Sequence, residues 1–470
     1  MGKQTFRMAA AESQTTEDTR GAGRPRAGPE ASPPQLFRLL ECESPAALPA
    51  RSCLRGLERV TFGRREGRSA EVRDGTLALG LPDRFLSTAH ATLRRTGEGW
   101  LLEDLRSKNG TLVGGARIEQ RLLQDGDVFE VGRTFFLFRA SLPAPAGAPA
   151  HLEASSLGPR QPALLTLDPA HEESLQRLRA VAPSKLSVVI TGETGTGKEL
   201  VASALHALSG RAGALVAVNC AALAPTLLES QLFGHKKGAF SGANDDAPGL
   251  VRASDRGTLF LDEIGELPLP AQAALLRVLA QGQVLPVGGS AAVPVDLRVV
   301  CATNRDLKSM VADGTFRGDL LARLQGFVLE LPPLRERLPD LGLLVSALLR
   351  RHAPDPEAVR FEPEAARALT RHRWPFNVRE LDQALAAALL LAAGGPIALA
   401  HLPEELREGP RSPTPPQALA PDEQELRARL VALLLEHGGN QSAVARVLGK
   451  GRTQIVRWVQ RFGIEPLRPR

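Results

Sequence analysis

Apolar and polar positions divide the chain into three blocks with different periods. In residues 36–140, short alternating runs are separated by Gly-containing turns, which is typical of β-strands. In residues 163–407, strand-like apolar runs alternate with helical stretches, which favours a parallel sheet. Residues 422–470 have a helical pattern with breaks at 438–440 and 448–449. The pattern therefore predicts three folded units of different class.

Individual elements can be placed from the same pattern. The first block has strand-like runs at 59–62, 91–94, 100–103 and 134–138, and the second has them at 187–191, 258–262 and 297–302. A helix is predicted at 199–208. The longest apolar run, 384–393, is too short to span a membrane and is interpreted as a buried helix.

Proline-rich segments separate the blocks. Residues 1–35 have the composition of a disordered leader, and 141–162 and 408–421 read as linkers. The predicted domains are 36–140, 163–340, 341–407 and 422–470, where 341–407 is a helical lid on the α/β unit. A chain of 470 residues is long enough for several cores.

Composition narrows the location of the protein but not its activity. The leader has no apolar core segment, so we expect no secretory signal and a cytoplasmic protein without a membrane anchor. The four cysteines show no CxxC spacing, which favours reduced, structural thiols. The net charge of +6 permits nucleic-acid binding without establishing it.

A glycine-rich loop follows the run 187–191 and precedes the predicted helix. Its glycines let backbone N–H groups point at phosphates, and its lysine neutralises charge on the β- and γ-phosphates. We therefore expect an ATP site. The candidate ATP-binding residues are Gly192, Glu193, Thr194, Gly195, Thr196, Gly197, Lys198 and Glu199. Because Glu199 stands where such loops usually have Ser or Thr, no hydroxyl at that position can hold Mg²⁺.

Two acids end the run 258–262. Asp262 is placed to reach Mg²⁺, and Glu263 can polarise the attacking water. The alternative is a pair of solvated acids after a strand.

The segment Gly238–Ala243 lies between the glycine-rich loop and the acids. With the motifs around it, it resembles the contact loop of bacterial enhancer-binding proteins, the AAA+ ATPases that remodel sigma-54 RNA polymerase. The proposed sigma-54 contacts are Gly238, Ala239, Phe240, Ser241, Gly242 and Ala243, with Ser241 where the family usually has Thr. The alternative is a packed hairpin in which Phe240 is buried.

The same resemblance assigns further roles in residues 163–407. It implies that Asn219 restrains the catalytic Glu, that Thr303 and Asn304 sense the γ-phosphate, and that Arg379 acts from the lid. It also implies that Arg317 and Arg323 are arginine fingers supplied in trans, hence a hexameric ring; two surface arginines in local ion pairs are the alternative. The sequence departs from the family at Phe376, where Gly is usual.

Residues 36–140 resemble a forkhead-associated domain, a β-sandwich whose loops bind phosphothreonine. The resemblance implies that Arg64 and Ser87 bind phosphate, that Asn109 holds the ligand backbone and that Lys108 adds positive charge. His90 is expected to support the ligand-binding loop and not to contact the ligand. The alternative is a scaffold domain that binds only its own ring.

Residues 422–470 resemble a Fis-type helix-turn-helix. Ala443, Val444 and Val447 are predicted to form the inner face of one helix, and Ile455 and Val459 that of the next. The candidate DNA-binding residues are Lys450, Arg452, Arg457 and Arg461. The alternative is a helical dimerisation tail.

The expected fold class is therefore multidomain: an all-β sandwich, an AAA+ α/β domain with a helical lid, and an all-α helix-turn-helix. The expected function is a sigma-54-dependent activator that binds upstream DNA, hydrolyses ATP with Mg²⁺ as a ring, and responds to a phosphothreonine-containing protein. The alternative is a DNA-bound, phosphopeptide-responsive adaptor whose ATPase switches its assembly without remodelling sigma-54 polymerase.

Overall fold

The computed structural model describes residues 32–143, 149–157, 161–222, 225–240, 243–408, 421–437, 441–451, 454–455 and 458–459. Within these ranges the predicted fold class is confirmed: a β-sandwich, a parallel α/β domain with a helical lid, and C-terminal helices. Residues 1–31 of the leader and 409–420 of the second linker lie outside the described residues.

The N-terminal domain is a two-sheet sandwich. The strands are β1 Gln35–Glu41, β2 Ala50–Cys53, β3 Arg59–Arg64, β4 Ser69–Arg73, β5 Thr76–Leu81, β6 Ala91–Thr96, β7 Gly99–Asp104, β8 Thr111–Val113, β9 Ala116–Ile118, β10 Gln120–Leu122, β11 Val128–Val131, β12 Thr134–Arg139 and β13 His151–Glu153. One sheet has the order β13-β2-β1-β12-β11-β8-β9 and the other β10-β7-β6-β3-β5-β4.

Aromatic side chains fill the space between the two sheets. Phe62 meets Phe129 and Phe136 edge-on, with ring centroids 5.8 and 5.1 Å apart, and the latter two rings stack at 5.4 Å. All three rings are almost fully buried. Such edge-on and stacked pairs stabilise a core beyond the area they bury.

The last strand of the first sheet comes from the segment predicted as a linker, 141–162. β13 pairs antiparallel with β2, and Ala154, which follows it, is buried. Part of the segment predicted as a linker therefore belongs to the sandwich.

The central domain contains a five-stranded parallel sheet. Its strands are β14 Val188–Thr191, β15 Leu215–Asn219, β16 Thr258–Asp262, β19 Arg298–Thr303 and β20 Phe327–Glu330, in the order β15-β16-β19-β14-β20. The short strands β17 Gln283–Val284 and β18 Val293–Pro294 form a separate two-stranded sheet. Helices cover both faces of the parallel sheet, so its inner strands β14, β16 and β19 are buried along nearly their whole length.

The helices of the α/β domain are α1 Pro169–Val181, α2 Lys198–Ser209, α3 Pro225–Phe233, α4 Leu250–Ala253, α5 Leu269–Gln281, α6 Leu307–Ala312 and α7 Gly318–Leu324. Near the start of α1, His171 is buried. Burial, with Arg337 and Arg179 close by, lowers the pKa of His171 to about 4. This histidine is therefore neutral in the folded protein at neutral pH.

The lid consists of α8 Leu341–His352, α9 Pro363–Arg371, α10 Asn377–Ala392 and α11 Glu404–Arg407. The run 384–393, expected to be a buried helix, is only half buried. Ala384, Leu385 and Ala388 pack inward, whereas Leu390 is 82% exposed and Leu391 63% exposed. The expectation was wrong because α10 is amphipathic and shows one face to solvent.

The sandwich packs directly on the lid. Phe37, Leu39 and Phe135, on the outer face of the first sheet, share one hydrophobic core with Leu341 and Leu369 of the lid. The sheet is therefore buried on both faces. The unbroken apolar run at 135–138 agrees with burial on both faces, because a strand with one solvated face would alternate apolar and polar residues.

Polar contacts surround this shared core. Arg367 of α9 makes two hydrogen bonds to the buried Glu130 carboxylate, at 2.8 and 2.7 Å. The Ser346 hydroxyl donates to the Ala46 carbonyl at 2.7 Å, and the Phe361 N–H donates to the Cys42 carbonyl at 2.8 Å. The first domain and the lid are thus joined by apolar and polar contacts together.

The C-terminal helices are α12 Pro421–Glu436 and α13 Gln441–Val447. Val444, Ile455 and Val459 are buried, as the helical pattern predicts. Val447 is 53% exposed and Ala443 is half buried, so the inner face of α13 is formed by Val444 and Ala445 instead. Among the described helices, none has the length and apolar character needed to cross a membrane.

Candidate functional site

The glycine-rich loop joins β14 to α2. β14 lies between β19 and β20, where the strand order reverses, and ligands of parallel sheets bind at the carboxyl ends of the strands at such points. Gly192, Gly195 and Gly197 all have positive φ, at 150°, 82° and 98°. A side chain on Gly195 would collide with the Phe376 carbonyl of the lid, so this position needs glycine for space as well as conformation.

Lys198 lies inside the loop. Its ammonium group donates to the carbonyls of Gly192 at 3.0 Å and Glu193 at 3.1 Å. Burial lowers the pKa of Lys198, while the nearby carboxylates of Glu263 and Asp262 oppose that shift. The two acids therefore lie close enough to Lys198 to stabilise its positive charge.

The acids and the residues assigned to nucleotide sensing meet at the same edge of the sheet. The Asn219 side-chain amide lies 3.4 Å from Asp262 Oδ2, and the Asn304 N–H lies 3.4 Å from Glu263 Oε2. The Asn304 side chain also donates to the Thr194 hydroxyl at 3.3 Å. Glu263 has φ of 50°, a left-handed conformation that is uncommon for a side-chain-bearing residue.

The Thr303 side chain does not face the cluster of acids and asparagines at this sheet edge. It is fully buried, and its hydroxyl accepts a hydrogen bond from the Arg305 N–H at 3.0 Å. It therefore shapes the turn after β19, and Asn304 is the residue of the predicted pair that reaches the site.

The donor set fits a magnesium ion shared with a nucleotide. Within the described residues, no group of three or more His, Cys, Asp or Glu is arranged to hold a metal ion alone. Mg²⁺ in phosphate-transfer sites typically takes one or two protein carboxylates and completes its shell with phosphates and water. Asp262, half exposed at the end of β16, can supply one such carboxylate.

The lid reaches the glycine-rich loop through the residues around Asn377. The N–H groups of Val378 and Arg379 lie 3.0 and 3.3 Å from the Gly195 carbonyl, and the Arg379 side chain is exposed beside the loop. Phe376 has φ of −107°, which any residue adopts, and its ring is 62% exposed. The substitution of Gly by Phe at this position therefore fits without backbone strain.

Arg335 and Asn377 are contacts that the sequence argument missed. Arg335 makes two hydrogen bonds to the Glu193 carboxylate, at 2.8 and 2.7 Å, and Asn377 makes a third at 3.2 Å. These hydrogen bonds lower the pKa of Glu193 to about 2, and those from Arg335 contribute most. No spacing rule marks the pairing, since 142 residues separate Glu193 from Arg335.

One of the two candidate arginine fingers, Arg323, lies away from this loop. Arg323 lines a cavity of about 690 Å³ with Lys185, Asp296 and Gly326, which precede the amino ends of β14, β19 and β20. Arg317, just before α7, pairs with Asp319 at 2.7 Å. Since the glycine-rich loop follows the carboxyl end of β14, Arg323 lies at the opposite edge of the sheet from it.

The contact loop projects from the segment between α3 and α4. The Gly238 N–H bonds the Ala243 carbonyl at 2.9 Å, and the Ala243 N–H bonds the Phe240 carbonyl at 3.0 Å. Phe240 packs edge-on against His235, with centroids 5.0 Å apart, and remains 37% exposed. Its ring is therefore accessible and not buried in a hairpin. Ser241 and Gly242 lie outside the described residues.

The four predicted phosphothreonine-binding residues lie at the end of β3 and on two neighbouring loops of the sandwich. The Arg64 N–H donates to the Ser87 carbonyl at 3.0 Å, and the Lys108 N–H donates to the Ser87 hydroxyl at 3.2 Å. The Asn109 side chain donates to the Phe85 carbonyl at 2.7 Å. The cluster therefore presents a guanidinium, an ammonium, a hydroxyl and an amide on one surface.

His90 lies beneath this surface. It is fully buried, its Nδ1 accepts from the Ser87 N–H at 3.1 Å, and its Nε2 contacts the Gly110 carbonyl at 3.2 Å. Burial lowers its pKa, which favours the neutral ring that can accept at Nδ1 and donate at Nε2. His90 therefore connects two of the loops that carry the cluster.

Of the predicted DNA-binding residues, the structure describes Lys450, which is exposed after α13. Arg452, Arg457 and Arg461 lie outside the described residues.

The fold and this site define an AAA+ ATPase domain with a helical lid, carried between two further domains. Family comparisons agree in order along the chain: "FHA domain" matches residues 60–132, "Sigma-54 interaction domain" 164–330, "AAA+ ATPase lid domain" 335–419 and "Homeodomain-like domain" 422–468. The regulatory protein AtoC of Escherichia coli is 40% identical over 314 residues, 64% of this chain and 68% of AtoC. The chain belongs to the NtrC- and AtoC-type family of sigma-54-interacting transcriptional regulators.

Two further relatives match a similar share of this chain. The transcriptional regulator NtrC of Salmonella typhimurium is 41% identical over 326 residues, which are 63% of this chain and 69% of NtrC. The acetoin catabolism regulatory protein of Cupriavidus necator is 45% identical over 311 residues, or 63% of this chain. The chain spans 46% of that relative's length.

Proposed function

We propose that this protein is an ATP-driven activator of sigma-54 RNA polymerase. The observation that carries the proposal is the arrangement of the α/β domain. A loop with an accessible aromatic ring, Phe240, arises from the same domain that brings Lys198, Glu263 and Asn304 together at one sheet edge. A change at the nucleotide phosphates can therefore reach the loop within one domain.

Each residue of the ATP site has a separate task in this proposal. Lys198 and the N–H groups of the glycine-rich loop bind the phosphates, and Glu263 orients and polarises the attacking water. Mg²⁺, when bound, neutralises charge on the phosphate oxygens, and Asp262 is the residue that would hold it. Asn219 contacts Asp262 and Asn304 contacts Glu263, so the positions of the two asparagines influence the orientation of both carboxylates.

The position of Arg323 supports catalysis between subunits. At the far edge of its own sheet it does not face its own glycine-rich loop, but it can face that of a neighbouring copy. An arginine finger stabilises transition-state charge and accelerates phosphoryl transfer by about 10³–10⁵-fold in well-studied enzymes. We therefore propose a ring, hexameric as the family resemblance implies.

The sandwich is proposed to sense a phosphothreonine-containing protein and to pass the signal to the lid. The loop carrying Lys108 and Asn109 leads through the short strand β8 to Gly114, whose carbonyl accepts a hydrogen bond from Arg371 of α9. The lid then contacts Gly195 a few residues further on, through Val378. This route supports phosphothreonine control of the ATPase in preference to a scaffold role for the sandwich.

The C-terminal helices are proposed to hold the protein at an upstream DNA site, with Lys450 and the arginines after it contacting phosphates or bases. The decisive experiment is open-complex formation by purified sigma-54 polymerase with this protein and ATP. We expect open complexes that depend on hydrolysis. Normal ATP hydrolysis without open complexes would exclude the activator and favour the DNA-bound adaptor.

A further inference from the structure

Glu193, Arg335 and Asn377 form a polar clasp between the glycine-rich loop and the lid. Arg335 bonds both oxygens of the Glu193 carboxylate, and Asn377 bonds Glu193 Oε2 from the other side. The same Asn377 amide donates to the Thr194 carbonyl at 3.0 Å, and its oxygen accepts from the Leu334 N–H at 2.8 Å. The clasp therefore joins three segments that are distant in sequence.

Asn377 has a backbone conformation and a degree of burial that few polar side chains tolerate. It is fully buried, and its φ is 56°, in the left-handed region where asparagine is among the few tolerated side chains. A buried amide is stable only when its donors and acceptor are satisfied, and here the side chain makes three hydrogen bonds. An ordinary packing residue would need neither the conformation nor these partners.

The clasp determines which way the loop backbone faces. Asn377 holds the Thr194 carbonyl on the lid side, while Lys198 holds the Glu193 carbonyl from within the loop. Because a peptide unit is planar, with its C=O and N–H on opposite sides, fixing the Thr194 carbonyl also fixes the N–H of Gly195. Backbone N–H groups of such loops bind phosphate, so the clasp presets donors for the nucleotide.

We propose that Arg335 and Asn377 are positioning residues for nucleotide binding, which hold Glu193 and Thr194 so that the phosphate-binding backbone is ordered before the ligand arrives. The proposal rests on the ATPase assignment. It also makes the lid part of the phosphate site, because Asn377 begins α10 and precedes Arg379 by two residues.

The first test is a double-mutant cycle on nucleotide affinity. Glu193→Gln, Arg335→Gln and the double variant are compared in the full-length protein, with the Kd for a fluorescent ADP analogue and the KM and kcat for ATP as readouts. Because the pair is partly exposed, we expect each single change to weaken binding by about three- to tenfold. The double variant should be no weaker than the weaker single variant.

Kinetics separate positioning from a general loss of structure. The clasp acts alike on bound substrate and on the transition state, so KM should rise with kcat nearly unchanged. Arg94→Gln is the matched control, since it removes an arginine–carboxylate pair of similar exposure between β6 and β7 of the sandwich. Losses that are additive in the double variant, or equal in the control, would overturn the proposal.

A second variant tests the buried amide. Asn377→Asp keeps the shape of the side chain and an acceptor for the Leu334 N–H, but it replaces both donated hydrogen bonds with repulsion from Glu193 and Thr194 oxygens. We expect a larger loss of ADP affinity than for Glu193→Gln, and partial recovery when Glu193→Gln is added. Unchanged affinity would refute the role of Asn377. Failure of the wild-type protein to bind ADP would instead refute the ATPase assignment.

Discussion

Replacing Gly342 with alanine tests the packing of the sandwich on the lid. Gly342 is the second residue of α8, and the helix backbone there lies against the β1 backbone. Alanine is favoured over glycine in helices by about 0.8–1.0 kcal/mol, so local propensity alone predicts stabilisation. The tertiary contact predicts the opposite.

The magnitude follows from the space around Gly342. An added Cβ would overlap the Leu39 carbonyl oxygen and would lie 3.1 Å from both the Leu39 carbonyl carbon and Pro49 Cβ. The obstacle is backbone, which cannot rotate away, so α8 and β1 must separate. Overpacking of this kind costs about 1–3 kcal/mol and occasionally more. Because the overlap is with backbone, the upper part of this range applies, about 2–3 kcal/mol, and subtracting about 1 kcal/mol of helix propensity leaves a net destabilisation of the contact of about 1–2 kcal/mol.

Hydrogen exchange measures this contact directly. The Phe361 N–H is bonded across the interface to the Cys42 carbonyl, so its exchange reports opening between the two domains. A loss of 1–2 kcal/mol corresponds to exchange faster by about 5- to 30-fold. Gly318→Ala at the start of α7 is the control, because its Cβ would meet only Val311 Cγ1 at 3.4 Å. Unchanged or slower exchange at Phe361 in the Gly342 variant would refute the packing argument.

Four further outcomes are expected. Glu263→Gln should lower phosphate release by about 10²–10⁴-fold while ATP still binds, and unchanged turnover would contradict its role with the attacking water. Arg323→Ala alone should be nearly inactive, but mixing it with Glu263→Gln should restore part of the activity; no recovery in rings shown to be mixed would exclude catalysis in trans. Arg64→Ala should abolish binding of a phosphothreonine peptide, measured by calorimetry, whereas Arg73→Ala at the other end of the sheet should not. The folded pKa of His171, about 4, lies below its unfolded value near 6.5, so the unfolded state takes up the proton first as the pH falls. The free energy of unfolding should therefore decrease between about pH 6.5 and 4, by up to about 3 kcal/mol, and His171→Gln should show a shallower decrease in denaturant titrations.

Much of the nucleotide site could be predicted from local sequence. The glycine-rich loop and Asp262-Glu263 are short motifs attached to apolar strands, and in a parallel sheet the carboxyl ends of those strands meet at one edge. Lys198 and Asn304 lie there for that reason. Thr303, by contrast, turns inward to the Arg305 N–H, because adjacent positions at a strand end face opposite ways.

The contacts between domains could not be predicted in this way. Arg335 reaches Glu193 across 142 residues, and Arg367 reaches Glu130 across 237. Surface arginines and glutamates are frequent, and nothing in their spacing distinguishes a pair that meets from one that does not. The half-exposed face of α10 and the exposed Val447 were missed for a related reason, since apolar residues in a helix do not reveal which neighbours cover them.

The sequence by itself determined the order of the domains, the strands that carry the nucleotide motifs and the position of the glycine-rich loop. These follow from residue periodicity and from chemistry confined to a few consecutive residues. Only the tertiary structure decided that the sandwich shares its core with the lid, and that Asn377 and Arg335 hold the glycine-rich loop. Those contacts depend on how whole layers pack against each other, and burial of a second sheet face is a property of the assembled domains rather than of any one segment.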